Sequence, residues 1–177
     1  MPSFISSGPA AWQGRFKSPA FWLATGFGSG LLRPAPGTWG SAVAAIAAWF
    51  FLSAAPARPV MMLIGLALIA FAVGIWAADT WEAKTGQHDS GMIVIDEFAG
   101  MWICLVPLAN DWHIVDYPIL WLVGGFLIFR LLDIAKPYPI NWLDENIPGA
   151  MGVMVDDIAA GILSGVLLFG IMCLFYM

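Results

Sequence analysis

Five stretches of apolar residues, separated by short polar connections, run through this chain of 177 residues. The second and fifth stretches approach the roughly 20 residues that a helix needs to cross a hydrocarbon core. The other three are short, and Pro107 interrupts the third. The pattern predicts an all-α, integral membrane helical bundle with about five apolar helices. The stretches are residues 39–55, 60–78, 98–109, 117–132 and 158–176.

Residues 21–32 are also apolar, but Gly26, Gly28 and Gly30 interrupt them and the stretch is too short to span. We expect short interfacial helices or a re-entrant piece there. The predicted organisation is an N-terminal cytoplasmic tail, residues 1–19, followed by a single membrane-embedded domain, residues 20–177.

Composition supports a membrane protein and excludes a nucleic-acid-binding protein. The chain is 60% hydrophobic and only 11% charged, whereas soluble proteins carry about 25% charged residues. Its net charge of −5 excludes nucleic acid as a partner, because that partner requires a basic surface. Cys104 and Cys173 both lie in apolar stretches and are predicted to be free thiols.

Charge also orients the chain. With the N-terminus in the cytoplasm, six of the seven Lys and Arg residues fall on the cytoplasmic side, as the positive-inside rule requires, and Arg58 falls outside. The same orientation brings ten of the twelve acidic residues to that face. We therefore predict a single site on the cytoplasmic face. The six cytoplasmic cations are Arg15, Lys17, Arg33, Lys84, Arg130 and Lys136.

A Gly-rich stretch, residues 26–41, leads into the first long apolar segment. Thr38 and Ser41 lie where its helix would begin, and free amides and hydroxyls at a helix N-terminus suit an oxyanion such as phosphate. A Pro/Gly loop capped by Thr38 explains the same residues equally well.

Two adjacent carboxylates, Asp96 and Glu97, open the third segment. One acid suffices to complement the positive end of a helix, and a second beside it adds repulsion unless a cation is shared. Carboxylates are the ligands that Mg²⁺ prefers, so the pair favours a metal site. His88 and Asp89 lie nearby in the sequence, and their role stays open.

Two further clusters fall on the same face. Arg130, Asp133 and Lys136 recur every three residues, which suits either a salt-bridged helix end or a phosphate and metal site. Asp156 and Asp157 precede the last apolar segment. We expect one of them to be an N-cap, which leaves the other free to join a ligand set.

Five motifs in order resemble the bacterial phosphatidylglycerophosphatase A family over about residues 20–170. They are Gly26-Phe-Gly-Ser-Gly30, Pro36-Gly-Thr38, Ile93-Val-Ile-Asp-Glu-Phe-Ala-Gly-Met-Trp102, Phe129-Arg-Leu-Leu-Asp-Ile-Ala-Lys-Pro-Tyr-Pro-Ile140 and Gly152-Val-Met-Val-Asp-Asp-Ile-Ala-Ala-Gly161. The resemblance implies a Mg²⁺-dependent enzyme of the bacterial inner membrane. Together with the apolar segments and the one-sided charges, it predicts a multi-pass protein with its active site on the cytoplasmic face. Such an enzyme removes the terminal phosphate of phosphatidylglycerophosphate and leaves phosphatidylglycerol among the membrane lipids.

If the chain has this activity, each candidate residue can be assigned a role. The metal ligands would be Asp96, Glu97, Asp156 and Asp157. The phosphate-binding residues would be Thr38, Arg130 and Lys136. The catalytic residues would be Asp96, Glu97, Asp133 and Asp157.

Three other classes compete with the phosphatase. An ion-coupled transporter would place its acids near the bilayer midplane and pair two repeats, and neither pattern is present. A lipid phosphotransferase would carry an Asp-Gly, Ala-Arg and Asp-Asp pattern that this chain lacks. A scaffold would leave the one-sided acids unexplained. The sequence leaves open the metal count, a water or carboxylate nucleophile, the oligomeric state, and whether residues 98–109 and 117–132 fully span.

Overall fold

The structure, a computed structural model, describes residues 12–54, 57–87 and 90–176. These residues form helices and no strand, as the apolar pattern predicts. The helices are α1 (Pro19–Ala24), α2 (Pro36–Ser53), α3 (Pro59–Thr85), α4 (Ile95–Cys104), α5 (Val106–Asp111), α6 (Pro118–Ala135), α7 (Ile140–Asn146) and α8 (Gly149–Tyr176).

Proline and glycine set many of these boundaries. Helices α1, α2, α3, α5 and α6 each have a proline in their first positions, where the missing N–H breaks no helical hydrogen bond. Gly86, the residue that follows α3, adopts the left-handed conformation at φ 68° and caps the helix. Lys136 follows α6 in the same conformation, just before Pro137.

Three helices are long and apolar enough to cross a membrane by length and composition: α3, α6 and α8. These correspond to the second, fourth and fifth predicted segments. The third segment is divided at Leu105 into the short helices α4 and α5, with Pro107 in the first turn of α5. Helix α2 is not among the candidate spans, so the expected number of about five apolar spanning helices is not confirmed.

The Gly-rich region forms short structure packed on the bundle. Helix α1 is followed by a 3₁₀ turn, Ser29–Leu31. The Phe21 ring stacks on Trp81 of α3 with 5.7 Å between ring centroids, and Val94 N–H donates to the carbonyl of Ala24. Trp12 also packs on Phe21 and Trp81, so part of the predicted tail contacts the bundle. The domain boundary at residue 20 stays a prediction.

Helix α4 lies at the centre of the bundle. It contacts α2, α3, α6 and α8, and nine of its ten residues are buried. Its contact with α8 is made by backbone, because a Cβ built on Gly161 would meet the carbonyl oxygen of Gly100. Glycines at such crossings let helix backbones approach closely. This contact holds the start of α4 beside the first turns of α8.

We expect Gly161→Ala to lower the free energy of unfolding by about 1–3 kcal/mol, because the added methyl group forces α4 and α8 apart. Gly170→Ala is the matched control on the same helix, since a Cβ there meets nothing within 4 Å. Thermal unfolding in detergent measures both. Equal midpoints for the two variants would contradict the role assigned to the glycine contact.

Candidate active site

A cavity of about 340 Å³ lies where the start of α2, the start of α4, the end of α6 and the first turns of α8 meet. All eight residues that the sequence analysis assigned to the site line this cavity, although their individual roles stay predictions. They are Thr38, Asp96, Glu97, Arg130, Asp133, Lys136, Asp156 and Asp157.

The two acids at the start of α4, Asp96 and Glu97, are buried. Asp96 and Glu97 occupy the first turn of the helix, and the Oδ1 atom of Asp96 accepts a hydrogen bond of 2.9 Å from the Glu97 N–H. Each residue is only 9% exposed. The helix N-terminus favours their negative charge, as one of the two interpretations expected. The interaction with the helix N-terminus does not explain why both carboxyl groups are buried.

The expected N-cap at Asp156 or Asp157 is wrong. Helix α8 begins at Gly149, so both acids lie in the helix interior, about two turns from its start. The apolar residues before these two acids, from Gly149 onward, already belong to α8. Successive helical residues point about 100° apart, and the two side chains accordingly reach different partners.

Asp157 joins the pair on α4. One carboxylate oxygen from each of Asp96, Glu97 and Asp157 lies within 4.8 Å of the others. The Oε2 atom of Glu97 and the Oδ2 atom of Asp157 are buried and have no hydrogen-bond partner. Buried acceptors without a donor are costly, and three such carboxylates fit a hard divalent cation. This group, Asp96, Glu97 and Asp157, is called the carboxylate triad below.

Burial also perturbs the titration of the α4 pair. Loss of water contact raises the pKa of Asp96 well above its usual range, and the Glu97 charge raises it further. Burial likewise raises the pKa of Glu97 to about 8. Both shifts describe carboxyl groups without a bound cation, which would act in the opposite direction.

The two cations of the cavity are already held by carboxylates. The Nη1 atom of Arg130 lies 2.6 Å from Asp133 Oδ2 and 3.9 Å from Glu97 Oε1. The Nζ atom of Lys136 lies 2.7 Å from both Asp144 Oδ1 and Asp156 Oδ2. The salt-bridged helix end, one of the two alternatives that the sequence left open, is present, and the phosphate and metal site stays a prediction.

Thr38 lies in the first turn of α2, which begins at Pro36, so it is not the cap of a preceding loop. The adjacent Gly37 is required by a close approach, because a Cβ there would meet Glu97 Oε1. The glycine thus brings the start of α2 directly over the α4 pair.

Two residues near the site were not among the predicted site residues. Ser41 is fully buried, donates a hydrogen bond of 2.8 Å to the Gly37 carbonyl, and accepts one of 3.3 Å from Arg130 Nη1. Asp144 of α7 lines the cavity and pairs with Lys136. The Gly-rich motif drew attention to Ser41, but no sequence signal separates Asp144 from its neighbour Glu145. His88 and Asp89 lie outside the described residues.

Fold and cavity together define a class: an all-helical protein, with three helices that indicate a membrane protein, around a buried cluster of acids and cations. A family model described as Phosphatidylglycerophosphatase A matches residues 22–172. The chain belongs to this family, as the motif resemblance predicted, and it is a phosphatase that hydrolyses a phosphate monoester.

Relatives agree with the family assignment. A phosphatidylglycerophosphatase A from Escherichia coli is 41% identical over 156 residues, which cover 88% of this chain and 84% of that protein. A phosphatidylglycerophosphatase A from Haemophilus influenzae is 39% identical, with 87% and 89% covered. A protein from Bacteroides thetaiotaomicron, named as a candidate phosphatidylinositol-3-phosphatase, is 38% identical, with 86% and 94% covered. No solved structure matches the chain.

Without divalent cations, we expect the protein to lose stability as pH rises from about 5 to about 8. The folded state holds a proton on Glu97 up to about pH 8, whereas the unfolded chain releases it near the ordinary value of 4.5, so deprotonation favours unfolding across this window. Thermal unfolding in detergent with EDTA measures the trend. Glu97→Gln should make this loss smaller, while the raised pKa of Asp96 keeps part of it. A midpoint that rises with pH would contradict the assignment.

Proposed function

We propose that this protein hydrolyses the terminal phosphate of phosphatidylglycerophosphate, giving phosphatidylglycerol, with Mg²⁺ as its cofactor. The proposal includes an active site on the cytoplasmic face of a bacterial inner membrane. The substrate is the one named in its relatives at 41% and 39% identity. The single observation that carries the proposal is the carboxylate triad beside Arg130 in one cavity.

Charge balance supports a divalent cation. Six carboxyl groups line the cavity, against one guanidinium and one ammonium group. A phosphate monoester dianion would be repelled from such a site unless positive charge is added or protons are taken up. The acids are Asp96, Glu97, Asp133, Asp144, Asp156 and Asp157.

The carboxylate triad would hold the cation, because its oxygens converge and two of them lack a donor. Bound there, Mg²⁺ supplies Lewis acidity and neutralises charge that develops on phosphate oxygens. Asp156, the fourth predicted ligand, is held by Lys136 through its Oδ2 atom and by the Asp157 N–H through its Oδ1 atom. Its role as a ligand stays a proposal.

Arg130 and Lys136 would bind the phosphate. Arg130 makes its contacts through Nη1, so its remaining N–H groups, including the buried Nε, have no acceptor among the residues that the structure describes. Lys136 uses two of its three donors on Asp144 and Asp156. Each side chain is thus oriented by carboxylates and keeps donors for phosphate oxygens. Thr38 adds a hydroxyl at the cavity wall.

Two routes for the hydrolysis fit these residues. In the first, Asp133 or a member of the carboxylate triad takes a proton from a water that attacks phosphorus, and the bond to the glycerol oxygen breaks to release phosphatidylglycerol. In the second, one carboxylate attacks phosphorus, phosphatidylglycerol leaves, and water then hydrolyses the acyl-phosphate to free the carboxylate and inorganic phosphate. Cysteine chemistry is disfavoured because neither Cys104 nor Cys173 lines the cavity.

Purified protein in detergent should release phosphate from phosphatidylglycerophosphate, and EDTA should abolish the release until excess Mg²⁺ is added. Phosphatidylinositol 3-phosphate is the competing substrate, because one relative carries that name. Malachite-green detection of phosphate measures both. Undiminished release in EDTA would contradict the Mg²⁺ requirement, and preference for the inositol lipid would contradict the substrate.

Asp96→Asn should lower phosphate release at least roughly 100-fold, the scale of losing one electrostatic contact to a transition state. The variant should stay folded in the membrane, since the amide has the shape of the carboxyl group. Asp79→Asn is the matched control, because Asp79 is exposed on α3 and does not line the cavity. Near-normal turnover by Asp96→Asn would contradict the proposed site.

A further inference from the structure

A second cavity, of about 630 Å³, adjoins the candidate active site. The two cavities share Pro36 and Gly91 in their walls. Arg33 and Leu31 line the second cavity from one side, and Ser90 lines it from the segment before α4. None of the carboxyl groups of the first cavity lines the second one. The adjoining cavities therefore differ in charge.

Arg33 is the charged group of this second cavity. It is exposed, and it forms no ion pair with a carboxylate of the described residues. The first acidic residue of the whole sequence is Asp79, so no acid near Arg33 in the sequence competes for it. Arg130 and Lys136, in contrast, are both held by carboxylates. Among the described residues, no carboxylate that lines the second cavity would compete with an entering anion for this guanidinium group.

Apolar residues beside Arg33 suit a lipid ligand. Leu31 and Leu32 are 39% and 47% exposed, immediately before Arg33 in the chain. A basic residue next to exposed aliphatic side chains is typical of the membrane interface, where the apolar groups contact acyl chains and the cation reaches the headgroups. The second cavity thus combines an apolar edge with a cationic group, and it adjoins the acidic cavity.

We propose that the second cavity binds the phosphodiester of the lipid substrate, with Arg33 donating to its non-bridging oxygens. This inference rests on the proposed function. Phosphatidylglycerophosphate carries one phosphodiester and one terminal phosphate, joined by a single glycerol unit. Two adjoining cavities match that arrangement, with the terminal phosphate in the acidic cavity and the diester beside Arg33. Guanidinium groups bind such paired oxygens well.

Product inhibition tests this assignment, because each product carries one of the two phosphates. Phosphatidylglycerol has the diester alone, and inorganic phosphate fits the acidic cavity alone. In Arg33→Gln we expect the KM for phosphatidylglycerophosphate and the inhibition constant of phosphatidylglycerol to rise roughly tenfold, the scale of one charged hydrogen bond. The inhibition constant of inorganic phosphate and kcat should change less than about twofold, within the error of additivity for distant groups.

Lys17→Gln is the matched control, because it removes one exposed N-terminal cation that does not line the cavity. Oleate at the same mole fraction in the mixed micelles controls for surface charge without a phosphodiester. If Arg33→Gln and Lys17→Gln had equal effects, or if Arg33→Gln changed the inhibition constants of both products equally, Arg33 would act only by general electrostatic attraction. Either result would overturn the assignment. Wild-type protein that releases no phosphate from phosphatidylglycerophosphate would instead overturn the proposed function itself.

Discussion

The backbone contact between α4 and α8 is the constraint on which the site depends. Gly100 and Gly161 let the two helices meet without intervening side chains. Asp96 and Asp157 each lie four residues before their glycine, on the same helix face one turn away. The contact that packs the helices therefore also brings these carboxylates together. A larger residue at either glycine would separate the acids as well as the helices.

This packing buries three carboxyl groups close together, and the cations of the cavity compensate their negative charge only in part. The carboxylate triad is buried, and its nearest cation, Arg130, is bonded more closely to Asp133 than to Glu97. Leaving buried carboxylates charged and uncompensated is unfavourable, and burial accordingly raises the pKa of Asp96 and of Glu97. A cation bound there, as proposed, would compensate the negative charge and let a phosphate group approach.

The N-terminal third of the chain contributes cationic and apolar groups in place of acids. It contains no acidic residue, and it places Gly37, Ser41 and Arg33 around the acidic cavity. Gly37 permits the start of α2 to lie against Glu97, while Ser41 holds the Nη1 atom of Arg130. Cationic and apolar groups of the second cavity thus adjoin the acidic cavity.

The sequence alone determined the helical class, the long apolar helices α3 and α8, and eight of the residues that line the cavity, because apolar length and charge scarcity are local properties of a membrane chain. It misjudged the position of Asp156 and Asp157, since a helix can start within residues whose apolar pattern is interrupted by glycine. Only the tertiary structure decided that Asp157 joins the α4 pair while Asp156 turns to Lys136, and that Asp144 completes that ion pair. These partners lie on different helices, and their contacts depend on interhelical distance and rotation, which no local pattern encodes.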